Sequence, residues 1–182
     1  PDNKIGAIPF DVWIEGQSLN TRWGDFPEDT ACGLCYTSGT TGNPKGVLYS
    51  HRSNVLHTLI TMSKDAMGMG AADVVMPVVP MFHANAWAIA FVAPMCGSKF
   101  VMPGAKLDGQ SVYELLEGEK VTFTAAVPTV WQGLLGFLRE NNLKPTTLKR
   151  VAIGGSAIPE VVLRAFEEDF GVEVIHAWGM TE

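Results

Sequence analysis

The sequence predicts an α/β fold in which strands alternate with helices in a largely parallel sheet. Two observations carry this. Short apolar runs of strand length recur along the chain, and capped or amphipathic helix-length segments separate them. A third agrees: glycine-rich stretches follow two of the runs, where such sheets keep their ligand loops.

The elements follow in order. Residues 1–30 mix Pro, Asp, Trp and Gly with weak periodicity and read as loops with one short helix. "ACGLCYTS" (31–38) is a compact apolar stretch, expected as a buried strand. "GVLYS" (46–50) is a second strand, after which Ser50 is placed to cap a helix over 52–67. "ADVVMPVV" (72–79) is a strand stopped by Pro80. "NAWAIAFVAPM" (85–95) reads as an apolar helix, "SKFVM" (98–102) as a strand, and 108–118 as a short helix starting near Asp108. "VTFTAAV" (121–127) is a strand. Pro128 and Thr129 then open a helix whose Val130, Leu134, Leu135 and Leu138 share one face. "RVAIGG" (150–155) is a strand ending in two glycines. Pro159 suits the first turn of a helix over 159–170, and "VEVIHAW" (172–178) is the last strand. No repeat, low-complexity tract or linker divides the 182 residues, so they read as one domain or a piece of one.

A net charge of −6 argues against general affinity for nucleic acid or anionic membrane. The richest apolar stretch, "ANAWAIAFVAPMCG", is shorter than the ~18 residues of a membrane span and contains Pro94. Cys32 and Cys35 form a single CxxC without the second pair of a zinc site, and Cys96 stands alone. Three buried thiols in a reducing cytoplasm is the reading that follows.

"YTSGTTGNPKG" (36–46) concentrates hydroxyls and glycines around one cation. Glycines let backbone amides converge on an anion, the hydroxyls of Thr37, Ser38, Thr40 and Thr41 can donate to phosphate oxygens, and Lys45 adds a mobile charge. The composition suits a polyphosphate. It is not a Walker A loop: counted from Gly39, Pro44 stands where the second glycine belongs and Gly46 where the hydroxyl belongs. Pro44 and the apolar "VLYS" favour strand–loop–strand, whereas a Walker loop opens a helix. An ordinary flexible hairpin loop is the alternative.

The string "YTSGTTGNPKGV" resembles the phosphate-binding signature of the adenylate-forming superfamily, which includes acyl-CoA synthetases, luciferases and peptide-synthetase adenylation domains. "PMFHANAW" (80–87), "VPTVW" (127–131), "GGSAIP" (154–159) and "HAWGMTE" (176–182) agree in order and spacing. The resemblance covers about 30–182, and "FHANAW" and "VTFTAAVPTVW" look most like medium- and long-chain fatty acyl-CoA synthetases and methylmercaptopropionate-CoA ligases.

The resemblance implies roles. Residues Thr37–Lys45, Gly39 and Gly42 among them, would hold the β- and γ-phosphates of ATP. His83 would lie near the α-phosphate and the carboxylate being activated, and Trp87 would gate the acyl tunnel, with core packing as the alternative. Gly154, Gly155, Ser156 and Ala157 would run along the adenine, Gly155 also bordering the acyl substrate. In His176–Ala177–Trp178–Gly179–Met180–Thr181–Glu182, Trp178 replaces the usual tyrosine and would stack on adenine, while His176 stands where glutamine is common. Thr181 would contact the α-phosphate, and Glu182 would hold Mg²⁺, a hard cation that prefers carboxylate and phosphate oxygens. His51 and His57 match no motif and are expected to be structural.

The implied activity is that of an acid-thiol ligase: ATP activates a carboxylate, expected to be a fatty acid, to acyl-AMP, and CoA takes the acyl group. Residues 1–182 would be the central part of the ATP- and acyl-binding large domain. The ribose-binding aspartate, the hinge and the C-terminal domain with its catalytic lysine would lie beyond Glu182. The piece alone is therefore expected not to complete the reaction. Some relatives pair through their large domains, which leaves a homodimer of the parent as an expectation. An adenylation domain loading a carrier protein and a nucleotide-binding module without turnover are the competing readings.

Overall fold

The computed structural model describes residues 6, 8–22, 24–37 and 42–182. Two sheets form. β1 (Ala31–Thr37) and β2 (Lys45–Ser50) pair antiparallel as a hairpin. β3 (Val74–Pro77), β4 (Lys99–Phe100), β5 (Phe123–Ala126), β6 (Arg150–Ile153) and β7 (Glu173–His176) form a parallel sheet in the order β4-β3-β5-β6-β7. The helices are α1 (Phe10–Ile14), α2 (His51–Thr61), α3 (Ala84–Trp87), α4 (Ile89–Cys96), α5 (Gly109–Gly118), α6 (Pro128–Glu140) and α7 (Glu160–Arg164), the last continued by a π-helical turn over Ala165–Asp169. The predicted α/β class and parallel sheet are what the chain adopts.

Helix starts obey local chemistry. The Ser50 hydroxyl accepts from the Ser53 N–H while the Ser53 hydroxyl takes the Ser50 N–H, a reciprocal cap at α2. Asp108 accepts from the Ser111 N–H at α5. α6 begins on Pro128, whose missing N–H costs nothing in a first turn.

Each face of the parallel sheet buries its own cluster. Met76, Ala126, Val151 and Ile153 pack with Val112, Leu116, Trp131, Leu134, Leu138 and Phe166 from the α5, α6 and α7 side. Val75, Phe123, Ala125 and Ala152 pack with Ala86, Ile89, Val92 and Ala93 from the α3–α4 side. The Trp131 indole meets the Phe166 ring edge-on at 5.3 Å and donates its N–H to the Ala126 carbonyl at 3.1 Å, so its polar handle is satisfied inside the core.

Several expectations need correction. β1 is a strand but not a buried one: only Cys35 is buried, while Leu34, Tyr36 and Leu48 lie exposed on the hairpin's outer face. An isolated two-stranded ribbon covers one face at most. Of the three thiols only Cys35 is buried; Cys32 is exposed and Cys96 half-buried. α2 ends at Thr61 instead of 67, where Ser63 and Gly68 draw the chain into turns. Pro159 caps α7 from outside rather than occupying its first turn.

The largest departure is 85–95, expected as one helix. Ala84, Asn85, Ala86, Trp87 and Ala88 all have positive φ, from 44° to 64°, and form a left-handed turn ahead of the right-handed α4. Each such residue costs about 1–2 kcal/mol, so surrounding contacts must over-determine the turn. They do: Ala86 is fully buried, and its N–H reaches the carbonyls of Pro80 and His83.

Candidate active site

The chain leaves β3 for the edge strand β4 and then crosses to β5 on the other side, so strand order reverses between β3 and β5. In open parallel sheets ligands collect outside the carboxyl ends of the strands near such a reversal. A cavity of about 170 Å³ lies there. The segment after β3 contributes His83, Ala84 and Trp87; the loop after β6 contributes Gly154 and Gly155; the segment after β7 contributes Ala177, Trp178, Gly179 and Met180. His57 and Thr61, one turn apart on α2, close it with Met67.

Two glycines are required by geometry. A Cβ at Gly154 would stand 2.8 Å from the Ala177 carbonyl oxygen and 3.1 Å from the Trp87 indole, so the β6 loop, the β7 segment and the tryptophan meet only because no side chain intervenes. Gly155 has φ +83°, a conformation that L side chains rarely adopt. The left-handed turn aims Trp87 at this point, and the neighbouring alanines leave room for its ring.

A second cavity, of about 250 Å³, shares part of this lining. His57, Ala84 and Met180 border both; Tyr49, Asn85, Thr181 and Glu182 belong to the second. The Tyr49 hydroxyl donates to the Thr181 carbonyl at 2.5 Å, tying the hairpin to the segment after β7. Burial, aided by Cys35 and Glu182, pushes the Tyr49 phenol above its usual range, so it stays a donor at neutral pH.

The structure thus gathers His83, Trp87, Gly154, Gly155, Ala177, Trp178, Gly179 and Met180 around one cavity, with Thr181 and Glu182 beside the next. Trp178 is 86% exposed and presents a bare aromatic face. Ser156 and Ala157 are exposed and line neither cavity. His176, the last residue of β7, is exposed and shares the strand face of Val174, which packs on the α6–α7 side. Thr37 and Lys45 face each other across the hairpin, with Lys45 exposed. Gly42 is exposed at φ +93°. Ser38, Gly39, Thr40 and Thr41 lie outside the described residues.

His57, Thr61, Met67 and Tyr49 were not expected at a site. His57 and Thr61 do stand at helical spacing, but α2 has no sustained apolar stripe to orient it, so nothing in the pattern tells which face meets the cavity.

Among the described residues no group of three His, Cys, Asp or Glu side chains could hold a metal by itself. Glu182 offers one exposed carboxylate beside the buried Thr181. That donor set fits Mg²⁺, which takes one or two carboxylates and completes its shell with phosphate oxygens and water.

A family model described as "AMP-binding enzyme" matches residues 11–182. The medium-chain-fatty-acid–CoA ligase of Ectopseudomonas oleovorans is 51% identical over 177 residues, which are 97% of this chain and 32% of that protein. The 3-methylmercaptopropionyl-CoA ligase of Ruegeria lacuscaerulensis is 48% identical over 185 aligned residues, 100% of this chain and 34% of that protein. The crystal structure of the anthranilate CoA ligase AuaEII in complex with anthranoyl-AMP superposes with a TM-score of 0.86 at 24% identity, covering 98% of this chain and 35% of that one, and so shares its fold. The chain spans about a third of the length of the curated relatives it matches.

Proposed function

The chain belongs to the AMP-binding enzyme family, and from that premise we propose that it is the central part of an AMP-forming acyl-CoA synthetase acting on a fatty acid. The carboxylate attacks the α-phosphate of ATP, pyrophosphate leaves, and the CoA thiol then displaces AMP from the acyl-adenylate. The observation that carries this reading is the convergence of Trp178, His83 and Trp87 on one cavity at the carboxyl ends of parallel strands, with Thr181 and Glu182 adjoining it.

Trp178 would take the adenine on its exposed face, running along the backbone of Gly154 to Ala157. His83 would orient the carboxylate and the α-phosphate, and Thr181 would bond the latter. Lys45 and the preceding loop, from Thr37 to Gly42, would hold the β- and γ-phosphates. Glu182 would hold Mg²⁺, which when bound neutralises charge developing on the phosphates. Positioning and preorganised charge supply most of such catalysis. Among the described residues no helix is long and apolar enough to cross a membrane, and the described cysteines are free thiols. A cytoplasmic enzyme, homodimeric as a full-length protein, is part of the proposal.

Incubation of the full-length protein with Mg-ATP, CoA and single carboxylates tests it. Acid-dependent release of AMP with matching acyl-CoA is expected. Acyl transfer to a carrier protein but not to CoA would favour an adenylation domain instead, and ATP binding without turnover a nucleotide-binding module.

Trp87→Ala should leave the KM for ATP within about twofold and change the kcat/KM ratio between acids two carbons apart by about tenfold or more, since each methylene in an apolar pocket is worth tenfold or more. An unchanged acid profile would return Trp87 to a packing role.

A further inference from the structure

We propose that Tyr49 is a positioning residue: its hydroxyl holds Thr181 and Glu182 at a set distance from Lys45, so that the phosphate-binding lysine and the metal-binding carboxylate move as one unit. The proposal rests on the function argued above. No motif marks Tyr49, and its evidence is geometric.

β2 carries both the lysine and the tyrosine of the link. Thr37 pairs with Lys45, Cys35 with Val47 and Gly33 with Tyr49, so Lys45, Val47 and Tyr49 point to the same face of the hairpin. Four residues at about 3.3 Å each make the strand a spacer of about 13 Å between the lysine and the tyrosine. The pairing shifts by one residue between Ala31 and Gly33, directly opposite Tyr49. Bulges of this kind re-aim a neighbouring side chain.

At the far end the Tyr49 hydroxyl reaches the Thr181 carbonyl, 132 positions away in sequence. Thr181 is only 5% exposed, whereas its neighbours Met180 and Glu182 are exposed. Thr181 is thus the buried member of this segment, and the tyrosine holds it there. Glu182 lines the same cavity as Tyr49.

Calorimetric titration of the full-length protein with ATP, in Mg²⁺ and separately in EDTA, tests the link in wild type and Tyr49→Phe. Phenylalanine keeps the ring and deletes only the donor. Affinity for Mg-ATP is expected to fall about fivefold to tenfold, the usual worth of one such bond, while affinity for metal-free ATP stays within about twofold. The Mg²⁺ concentration giving half-maximal turnover should rise with it. Equal weakening with and without Mg²⁺, or no weakening, would overturn the proposal. Failure of Y49F to unfold cooperatively would make the hydroxyl a structural anchor and overturn it as well. A wild-type protein that neither binds Mg-ATP nor turns over would remove the functional reading itself. A wild-type protein active beside an unaltered Y49F would remove only the role of Tyr49.

Discussion

Lys45→Ala is expected to lower carboxylate-dependent ATP–pyrophosphate exchange by about 100- to 1,000-fold while leaving thermal unfolding unchanged, the loss typical of removing one preorganised charge from a transition state. The lysine opens β2 and is exposed, so its removal leaves no cavity and no unpaired buried group. Its partner would be charge on the transferring phosphates, which is largest in the transition state. kcat should therefore fall more than the KM for the acid changes. Retention of normal exchange by the variant would remove the phosphate role and leave Lys45 as a solvated hairpin residue.

The second large effect concerns the opposite end of the sheet. Asp73 precedes β3, Thr122 precedes β5, and Arg150 opens β6. Arg150 Nη2 donates to Asp73 Oδ2 at 2.9 Å, the Thr122 hydroxyl to Oδ1 at 2.8 Å, and the Gly70 N–H to Oδ2 at 2.9 Å. Arg150 Nη1 reaches the Gly68 carbonyl at 2.9 Å, and its Nε is buried without a partner among the described residues. One carboxylate thus joins the amino ends of three strands. Asp73→Ala would leave the guanidinium, only 21% exposed, without its counter-charge. A loss of about 3 kcal/mol, or about 6–12 °C in Tm, is expected. Substrate KM values should hold below the new transition, because the cluster lies at the end of the strands away from the site. A Tm within about 1 °C of wild type would contradict this account of the cluster.

The same residue sets a pH dependence. Burial opposes ionisation of Asp73, but Thr122, Gly70 and Arg150 outweigh it and hold the carboxyl below its usual range. A depressed folded pKa stabilises fully above the unfolded value of about 4 and loses that contribution as pH falls through the lower folded value. Acid unfolding of Asp73→Ala should therefore be flatter below about pH 4 than that of wild type.

Much of this fold is legible in the sequence, for definite reasons. Residues 123–126 and 151–153 are short, mostly apolar runs buried on both faces, which a covered parallel sheet accommodates. Ser50 and Asp108 announce their helices by side-chain chemistry alone. The left-handed turn was not readable, because "ANAWA" contains no glycine and its composition favours a right-handed helix. Its handedness comes from tertiary contacts: Ala86 in the core, and Trp87 against Gly154. The exposure of Leu34 and Tyr36 was hidden for a related reason, since apolar composition does not tell how many faces of a strand are covered. At the site, Gly154, Trp87 and Trp178 were found through the motifs they sit in. His57 and Tyr49, outside any motif, emerged only from the packing of α2 and β2 against the terminal segment.

Acid-dependent exchange of labelled pyrophosphate into ATP by the full-length protein, scanned from propionate to palmitate, is the decisive measurement of adenylate formation. Exchange is expected to require Mg²⁺ and a carboxylate, to proceed without CoA, and to peak at a fatty acid. Absence of exchange with every acid, from a protein that is folded and binds ATP, would contradict adenylate formation at this site.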